Sequence, residues 1–126
     1  MEVSMYETLT NSPFFNGLTA KEIKELLQTV NYKIVEYPAK EIYTLAGMPC
    51  KYADIIIEGE LVARMVSLSG KSLEVSRLYS GDIISPAFIF ANDKSMPVSV
   101  ETDSATLIFR MQPSTLKYLI DNYEVI

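Results

Sequence analysis

The sequence predicts a mainly β domain, a double-stranded β-helix or jelly roll of about eight strands flanked by short helices. Two observations predict this fold. Short runs rich in β-branched and aromatic residues recur about every ten residues from Tyr32 to Met111. Turn signals containing glycine, serine and aspartate separate them. The length of 126 residues, with 48% hydrophobic and 21% charged residues, is that of one globular domain.

The first thirty residues have a helical pattern. Thr19 and Glu22 have the spacing of a capping box, so a helix is predicted to begin after Thr19. Apolar residues continue this helix at helical spacing: Ile23, Leu26, Leu27 and Val30. The Ser12-Pro13 dipeptide interrupts any earlier helix. Three apolar residues are predicted to anchor the segment between them to the core: Phe14, Phe15 and Leu18.

Eight runs are predicted strands: Tyr32–Tyr37, Ile42–Leu45, Tyr52–Ile57, Glu60–Ser67, Leu73–Leu78, Ile83–Ile84, Val98–Glu101 and Ala105–Met111. Four of the eight tyrosines lie within these runs, where strand propensity accounts for them. A short amphipathic helix is predicted after Pro113, with four apolar residues on one face: Leu116, Leu119, Ile120 and Tyr123.

Composition excludes several functions. The chain has no histidine, which excludes a histidine metal site and a Ser-His-Asp triad. Cys50 is the one cysteine, so neither an intrachain disulfide nor an iron–sulfur cluster is expected. Cys50 is expected to be a turn residue without a functional role. Asp54, Glu58 and Glu60 lie close together beside a turn and are expected to face water. We expect a protein that is not an enzyme and has neither catalytic residues nor metal ligands.

Charge and hydropathy bear on location and partners. The net charge is −5 and the basic residues are scattered, so this domain is not expected to bind nucleic acid by itself. No apolar run approaches the roughly 18 residues that span a membrane, and the first residues lack signal-peptide features. A soluble, cytoplasmic domain without membrane contact is expected.

A glycine-punctuated stretch resembles a known signature. Residues 47–61, with Gly47-x4-Tyr52-x2-Ile55 followed by Gly59, resemble the first signature of the cyclic-nucleotide-binding fold. Gly70 and then residues 78–84, with Leu78-x2-Gly81-Asp82, resemble its next two elements. The start, Phe14-Phe15-x2-Leu18 before a capped helix, is similar to that of CRP/FNR-type transcription regulators. The resemblance runs from about Ser12 to the end of the chain.

This resemblance implies a sensor module. In that family a β-roll holds a small ligand, a long helix after it forms a homodimer, and a winged helix-turn-helix beyond binds DNA. The resemblance thus implies a single sensor domain over residues 1–126, with DNA contacted only through a C-terminal domain beyond it. Because Ile126 stands where the dimer helix would begin, we expect a fragment, and a natural single-domain protein stays the alternative.

The resemblance also identifies a ligand cassette. The family pattern has Gly and Glu after the "GD" turn, then a short helix, then Arg, Ser or Thr, and Ala. Gapless counting places other residues there, and the diverged cassette consists of Ser85, Pro86, Ala87, Phe88, Met96, Pro97 and Val98. Pro86 has no group to bind a ribose hydroxyl, and Met96 has none to pair with a phosphate. Lys94, two residues upstream, is expected to be a solvated charge.

The sequence therefore predicts no binding of cyclic AMP or cyclic GMP and no cofactor. Two alternatives stay open: the apolar residues fill the old pocket as core, or they bind an unknown small, apolar effector. Arg64 and Arg77 are expected to face solvent or to pair with Glu60 and Glu74, and the alternative is that they supply one polar anchor for such a ligand. Outside this family, a cupin-like roll and a stand-alone scaffold are the alternative functions.

Overall fold

The computed structural model describes residues 2–15, 17–49, 51–84 and 98–122. It contains α1 (Glu2–Leu9), a 3₁₀ turn (Pro13–Phe15), α2 (Ala20–Leu27), β1 (Lys33–Tyr37), β2 (Ile42–Thr44), β3 (Ala53–Glu58), β4 (Leu61–Val66), β5 (Ser72–Leu78), β6 (Ile83–Ile84), β7 (Ser99–Thr102), β8 (Thr106–Met111) and α3 (Pro113–Asn122). All eight predicted strands are present, and the predicted mainly β fold is confirmed.

The strands form two four-stranded antiparallel sheets. One sheet has the order β1-β8-β3-β6 and the other β2-β7-β4-β5. Their inner faces meet around an apolar cluster, which packs Ile56, Ile84 and Ile108 of the first sheet against Leu61 and Val100 of the second. This cluster is the interior of the roll.

The opposite face of the first sheet is covered by helices. Ile55, Ile57 and Phe109 point there because side chains alternate along a strand. Phe15 from the 3₁₀ turn is fully buried, and its ring meets Phe109 edge-on at 6.3 Å. The predicted anchoring of Phe14, Phe15 and Leu18 is thus confirmed: the two phenylalanines are buried and Leu18 packs against the same cluster.

Capping and turn residues set where these elements begin and end. The capping box predicted at Thr19 is present: its hydroxyl accepts the Glu22 amide at 3.2 Å, and Glu22 accepts the Thr19 amide at 3.0 Å. Between β3 and β4, Gly59 has a φ of +102°. A Cβ there would come within 2.8 Å of the Thr106 backbone, so the turn requires glycine.

Candidate ligand site at one end of the roll

Most of the predicted cassette lies outside the described residues. The cassette residues outside the description are Ser85, Pro86, Ala87, Phe88, Met96 and Pro97. Three other residues singled out in the sequence also lie outside it: Lys94, Cys50 and Tyr123. Val98 is described: it is half-buried and packs against the apolar interior of the roll. The cassette therefore stays a prediction.

Arg64 and Arg77 form ion pairs near the surface. Arg77 Nε donates to Glu74 Oε2 at 2.8 Å, and its Nη1 lies 3.3 Å from Glu60 Oε1, as predicted. Nη1 also donates to Asp103 at 3.2 Å. The hydrogen bonds from Arg77 lower the pKa of Glu74. Arg77 is therefore engaged by three carboxylates, which favours the ion-pair alternative over the ligand anchor.

Arg64 has a different partner from the one expected. Its Nε donates to Glu101 at 2.8 Å, not to Glu60 or Glu74. The reason is the register of β4 and β7, in which Val62 lies opposite Glu101 and Arg64 opposite Ser99. Glu101 is therefore the diagonal neighbour of Arg64 across the strands.

Asp54 corrects the prediction that the acidic residues beside the β3–β4 turn face water. Glu58 is exposed and Glu60 is partly exposed, but Asp54 has a relative exposure of 0%. Strand β3 is buried on both faces, and Asp54 shares the roll-interior face with Ile56. A buried carboxylate needs a charged or hydrogen-bonding partner.

Arg110 is that partner. It lies directly opposite Asp54 in the β3–β8 ladder. Its Nε donates to Asp54 Oδ1 at 2.9 Å and its Nη2 to Oδ2 at 2.8 Å, a bidentate pair. Burial by itself would lower the pKa of Arg110, but Asp54 raises it above its ordinary value. Arg110 therefore keeps its charge at every physiological pH.

Three tyrosines complete this group, which we call the Arg110 cluster: Asp54, Arg110, Tyr37, Tyr43 and Tyr52. The Tyr43 hydroxyl donates to Asp54 Oδ2. The Tyr37 hydroxyl accepts from Arg110 Nη2 at 2.9 Å. The Tyr52 ring covers the guanidinium with its centroid 4.3 Å from Cζ, within cation–π range. Burial and the Asp54 charge raise the pKa of Tyr43.

Two cavities adjoin the Arg110 cluster, and Tyr52 and Arg110 line both. The smaller, which we call the tyrosine cavity, has a volume of about 150 Å³ and is lined by Tyr37, Tyr43, Thr44, Met48, Pro49, Lys51, Tyr52, Ile84 and Arg110. The larger has about 520 Å³ and is lined by Asn31, Tyr32, Lys33, Val35, Tyr52, Arg110 and Gln112. Among the described residues that line these walls there is no carboxylate, although the protein has a net charge of −5. The cations on the walls are Lys51, Lys33 and Arg110, and Arg110 is paired with Asp54.

Sequence reasoning missed the Arg110 cluster. Strand propensity seemed to account for its tyrosines, and its five residues are spread from position 37 to position 110. One signal was available: Asp54 is a charged residue within the otherwise apolar run Ala53–Ile57. Such a residue in a buried strand indicates an internal partner.

Other site types have no support in the part of the chain that the structure describes. Within residues 2–15, 17–49, 51–84 and 98–122 no three histidine, cysteine or acidic side chains form a group that could hold a metal ion. Within those same ranges, no helix has the length and apolar character needed to cross a bilayer.

Comparison with known proteins gives structural neighbours only, since neither a family model nor a curated protein matches the sequence. A transcriptional regulator from Thermotoga maritima is 28% identical, with a TM-score of 0.69, over 82% of this chain and 79% of that one. The N-terminal domain of a transcriptional regulator from Streptomyces coelicolor has a TM-score of 0.77 at 16% identity, over 94% of this chain and 81% of that one.

A longer neighbour has the same fold. The catabolite activator protein of Thermus thermophilus has a TM-score of 0.77 at 17% identity, over 90% of this chain. The chain spans only 52% of that protein's length. The resemblance seen in the glycine-punctuated turns is confirmed by these neighbours, which are regulators and cyclic-nucleotide-binding domains. The chain has the fold of the sensor domain of CRP/FNR-type transcription regulators.

Proposed function

We propose that this chain is the ligand-sensing effector domain of a CRP/FNR-type transcription regulator and that it does not bind cyclic AMP or cyclic GMP. Support for the first part comes from the neighbours, which are transcription regulators with sensor domains of this fold. In such a protein the sensor acts by binding and not by catalysis. DNA would be contacted by a C-terminal domain beyond residue 126, in a cytoplasmic homodimer.

The observation that carries the second part is the chemistry of the connection between β6 and β7. β6 ends at Ile84 and β7 begins at Ser99. Within this connection, Ser85 and Pro86 stand where the family has Gly and Glu, and Met96 and Pro97 stand where it has Arg and Ser or Thr. Every charged contact to a cyclic nucleotide is replaced.

The energetic consequence follows from desolvation. A cyclic nucleotide carries one phosphate charge, and burying it without a paired cation costs several kcal/mol. Pro86 and Met96 offer neither a charge nor a hydrogen-bond donor. The affinity that remains would come from base and ribose packing alone, which does not offset this cost.

Two alternatives follow for the effector. Either the diverged cassette holds an unknown small, apolar molecule, or there is no effector and the cassette side chains fill the old pocket as part of the core. Phe88, Met96 and Val98 supply the apolar surface for either outcome. Ligand or constitutive packing at residues 85–98 would set the position of the helix that follows the domain.

Calorimetric titration with cyclic AMP and cyclic GMP tests the proposal. We expect no heat of binding up to about 1 mM nucleotide, the level at which only about 4 kcal/mol of binding free energy is available. A matched variant restores the family pattern with four substitutions: Ser85→Gly, Pro86→Glu, Met96→Arg and Pro97→Ser. This variant is expected to gain nucleotide binding.

Two results would contradict the proposal. Micromolar binding by the unmodified chain would mean that the gapless alignment is wrong or that Lys94 and loop amides neutralise the phosphate. Failure of the folded four-substitution variant to bind would mean that residues 85–97 are not the cassette.

A further inference from the structure

The tyrosine cavity has the size and walls of a site for one aromatic ring. Its volume of about 150 Å³ is that of an apolar cavity that admits a single benzene ring. Tyr37 and Tyr43 form one side, with ring centroids 5.5 Å apart and planes tilted by 53°. Tyr52 forms another side, and Ile84 contributes apolar surface. Rings in such a setting favour offset or edge-on contacts with a further ring.

Tyr37 lines this cavity, and its hydroxyl has a hydrogen to donate. It accepts a hydrogen from Arg110 Nη2 at 2.9 Å, so its own hydrogen is left to donate elsewhere. Among the described residues, no group accepts that hydrogen. Accepting from a cation polarises the hydroxyl and strengthens it as a donor. The cavity therefore offers a strong donor to a ligand with an acceptor oxygen.

Charge selects the kind of acceptor. The charge of Arg110 is already neutralised by Asp54, which pairs with it in two hydrogen bonds. Lys51 lies on the exposed side of the cavity wall and forms no ion pair within the described part of the chain. A positive charge and a hydroxyl donor that line the same cavity favour a singly charged anion such as a carboxylate.

We propose that the tyrosine cavity binds a single-ring aromatic monocarboxylate. The ring packs against Tyr37, Tyr43 and Tyr52, and the carboxylate accepts hydrogen bonds from the Tyr37 hydroxyl and the Lys51 ammonium. This inference goes beyond the proposed function because it uses no residue of the cassette at 85–97. It stands whether or not the cassette binds a cyclic nucleotide.

Benzoate is the probe for this site, titrated into the 126-residue chain by calorimetry. We expect saturable binding of benzoate with at least about tenfold weaker binding of benzamide, its uncharged analogue. Acetate, which has the charge without the ring, is expected not to bind. Methyl resonances of Met48 and Ile84 are expected to shift with benzoate, since both side chains line this cavity.

Three substitutions locate the carboxylate. Lys51→Gln changes an exposed side chain and is expected to weaken benzoate binding about threefold to fivefold without loss of fold. Tyr37→Phe removes the donor and is expected to weaken it about tenfold. The matched control is Lys33→Gln, which removes the same charge from the wall of the larger cavity and is expected to leave the affinity unchanged.

Three results would overturn the inference. One is no binding of benzoate at about 10 mM, where even a very weak site would be partly filled. Another is equal binding of benzamide, which would remove the role of charge. The third is a loss of affinity in Lys33→Gln and not in Lys51→Gln, which would move the ligand to the larger cavity.

Discussion

Replacing Arg110 by methionine is expected to lower the free energy of unfolding by about 3–5 kcal/mol. Asp54 is fully buried, and Arg110 supplies hydrogen bonds to both of its carboxylate oxygens at 2.9 and 2.8 Å. Among the described residues, Arg110→Met leaves that carboxylate with the Tyr43 hydroxyl as its one partner. The folded state then contains a buried, uncompensated charge, whereas the unfolded state exposes it to water.

The size of this loss makes it measurable by urea unfolding. A domain of this kind has a total stability of about 5–15 kcal/mol, so the variant loses a large fraction of it but is expected to fold. With a urea dependence of about 2 kcal/mol per molar, the unfolding midpoint is expected to fall by about 2 M. The slope of the transition is expected to stay the same.

Two further variants separate the buried charge from other causes. The double variant Asp54→Leu with Arg110→Met removes both charges, and its main cost is the Tyr43 hydroxyl left without an acceptor, about 1–3 kcal/mol. It is therefore expected to be more stable than Arg110→Met alone. Arg64→Met removes one arginine of a partly exposed pair with Glu101 and is expected to cost at most about 1 kcal/mol.

The reasoning would be refuted by either of two outcomes. If Arg110→Met costs no more than Arg64→Met, the Asp54 carboxylate is not desolvated in the way the structure shows. If the loss of unfolding free energy in the double variant equals the sum of the losses in Arg110→Met and Asp54→Leu, the two side chains are not coupled.

Three other predictions concern a turn, a helix cap and a buried hydroxyl. Gly59→Ala is expected to lower the stability measured by thermal unfolding by more than about 2 kcal/mol, because its Cβ would lie 2.7 Å from a backbone carbonyl oxygen. In the control Gly70→Ala the new Cβ meets open space, and the expected cost is about 1 kcal/mol. Equal losses of stability in the two variants would contradict this. Thr19→Ala is expected to cost about 1 kcal/mol. Hydrogen bonds from Thr19 lower the pKa of Glu22 below 4.5. The stability that the ionised Glu22 side chain adds to the helix cap is therefore present above pH 4.5 and is lost as the pH falls through the lowered pKa. If the loss of stability in Thr19→Ala grew on acidification, this prediction would be contradicted. Tyr43, whose pKa is raised by burial and Asp54, keeps its proton in the folded state. Its stabilisation is full below pH 10 and is lost above it, so ultraviolet titration should show a tyrosine that ionises only on unfolding, and Tyr43→Phe should remove that step.

The order of the elements was predictable because it depends on local chemistry. Turn glycines, the capping box at Thr19 and the alternation of apolar residues each act within a few positions of the chain. They placed all eight strands to within about two residues of their ends. The partners of side chains were less predictable, since they depend on strand register, and Arg64 pairs with Glu101 for that reason.

Asp54 shows most clearly where local reasoning fails. A carboxylate beside a turn faces water in most proteins, and Lys51 is the one cation within five residues of Asp54 in the sequence. Its partner Arg110 lies 56 positions away. Only the pairing of β3 with β8 brings the two together, so the cluster and its cavities could not be derived from spacing along the chain.

The position of this pair has a consequence for the register of the first sheet. One line of paired residues crosses its four strands in the order Lys33, Arg110, Asp54 and Ile84. A slip of β3 by one residue would turn Asp54 to the face covered by helices, beside Phe15 and away from Arg110. That arrangement buries the Asp54 carboxylate without its cation and costs far more than the paired arrangement. A pair of apolar residues could match the stability of Asp54 and Arg110, but it would not penalise the slipped register in this way.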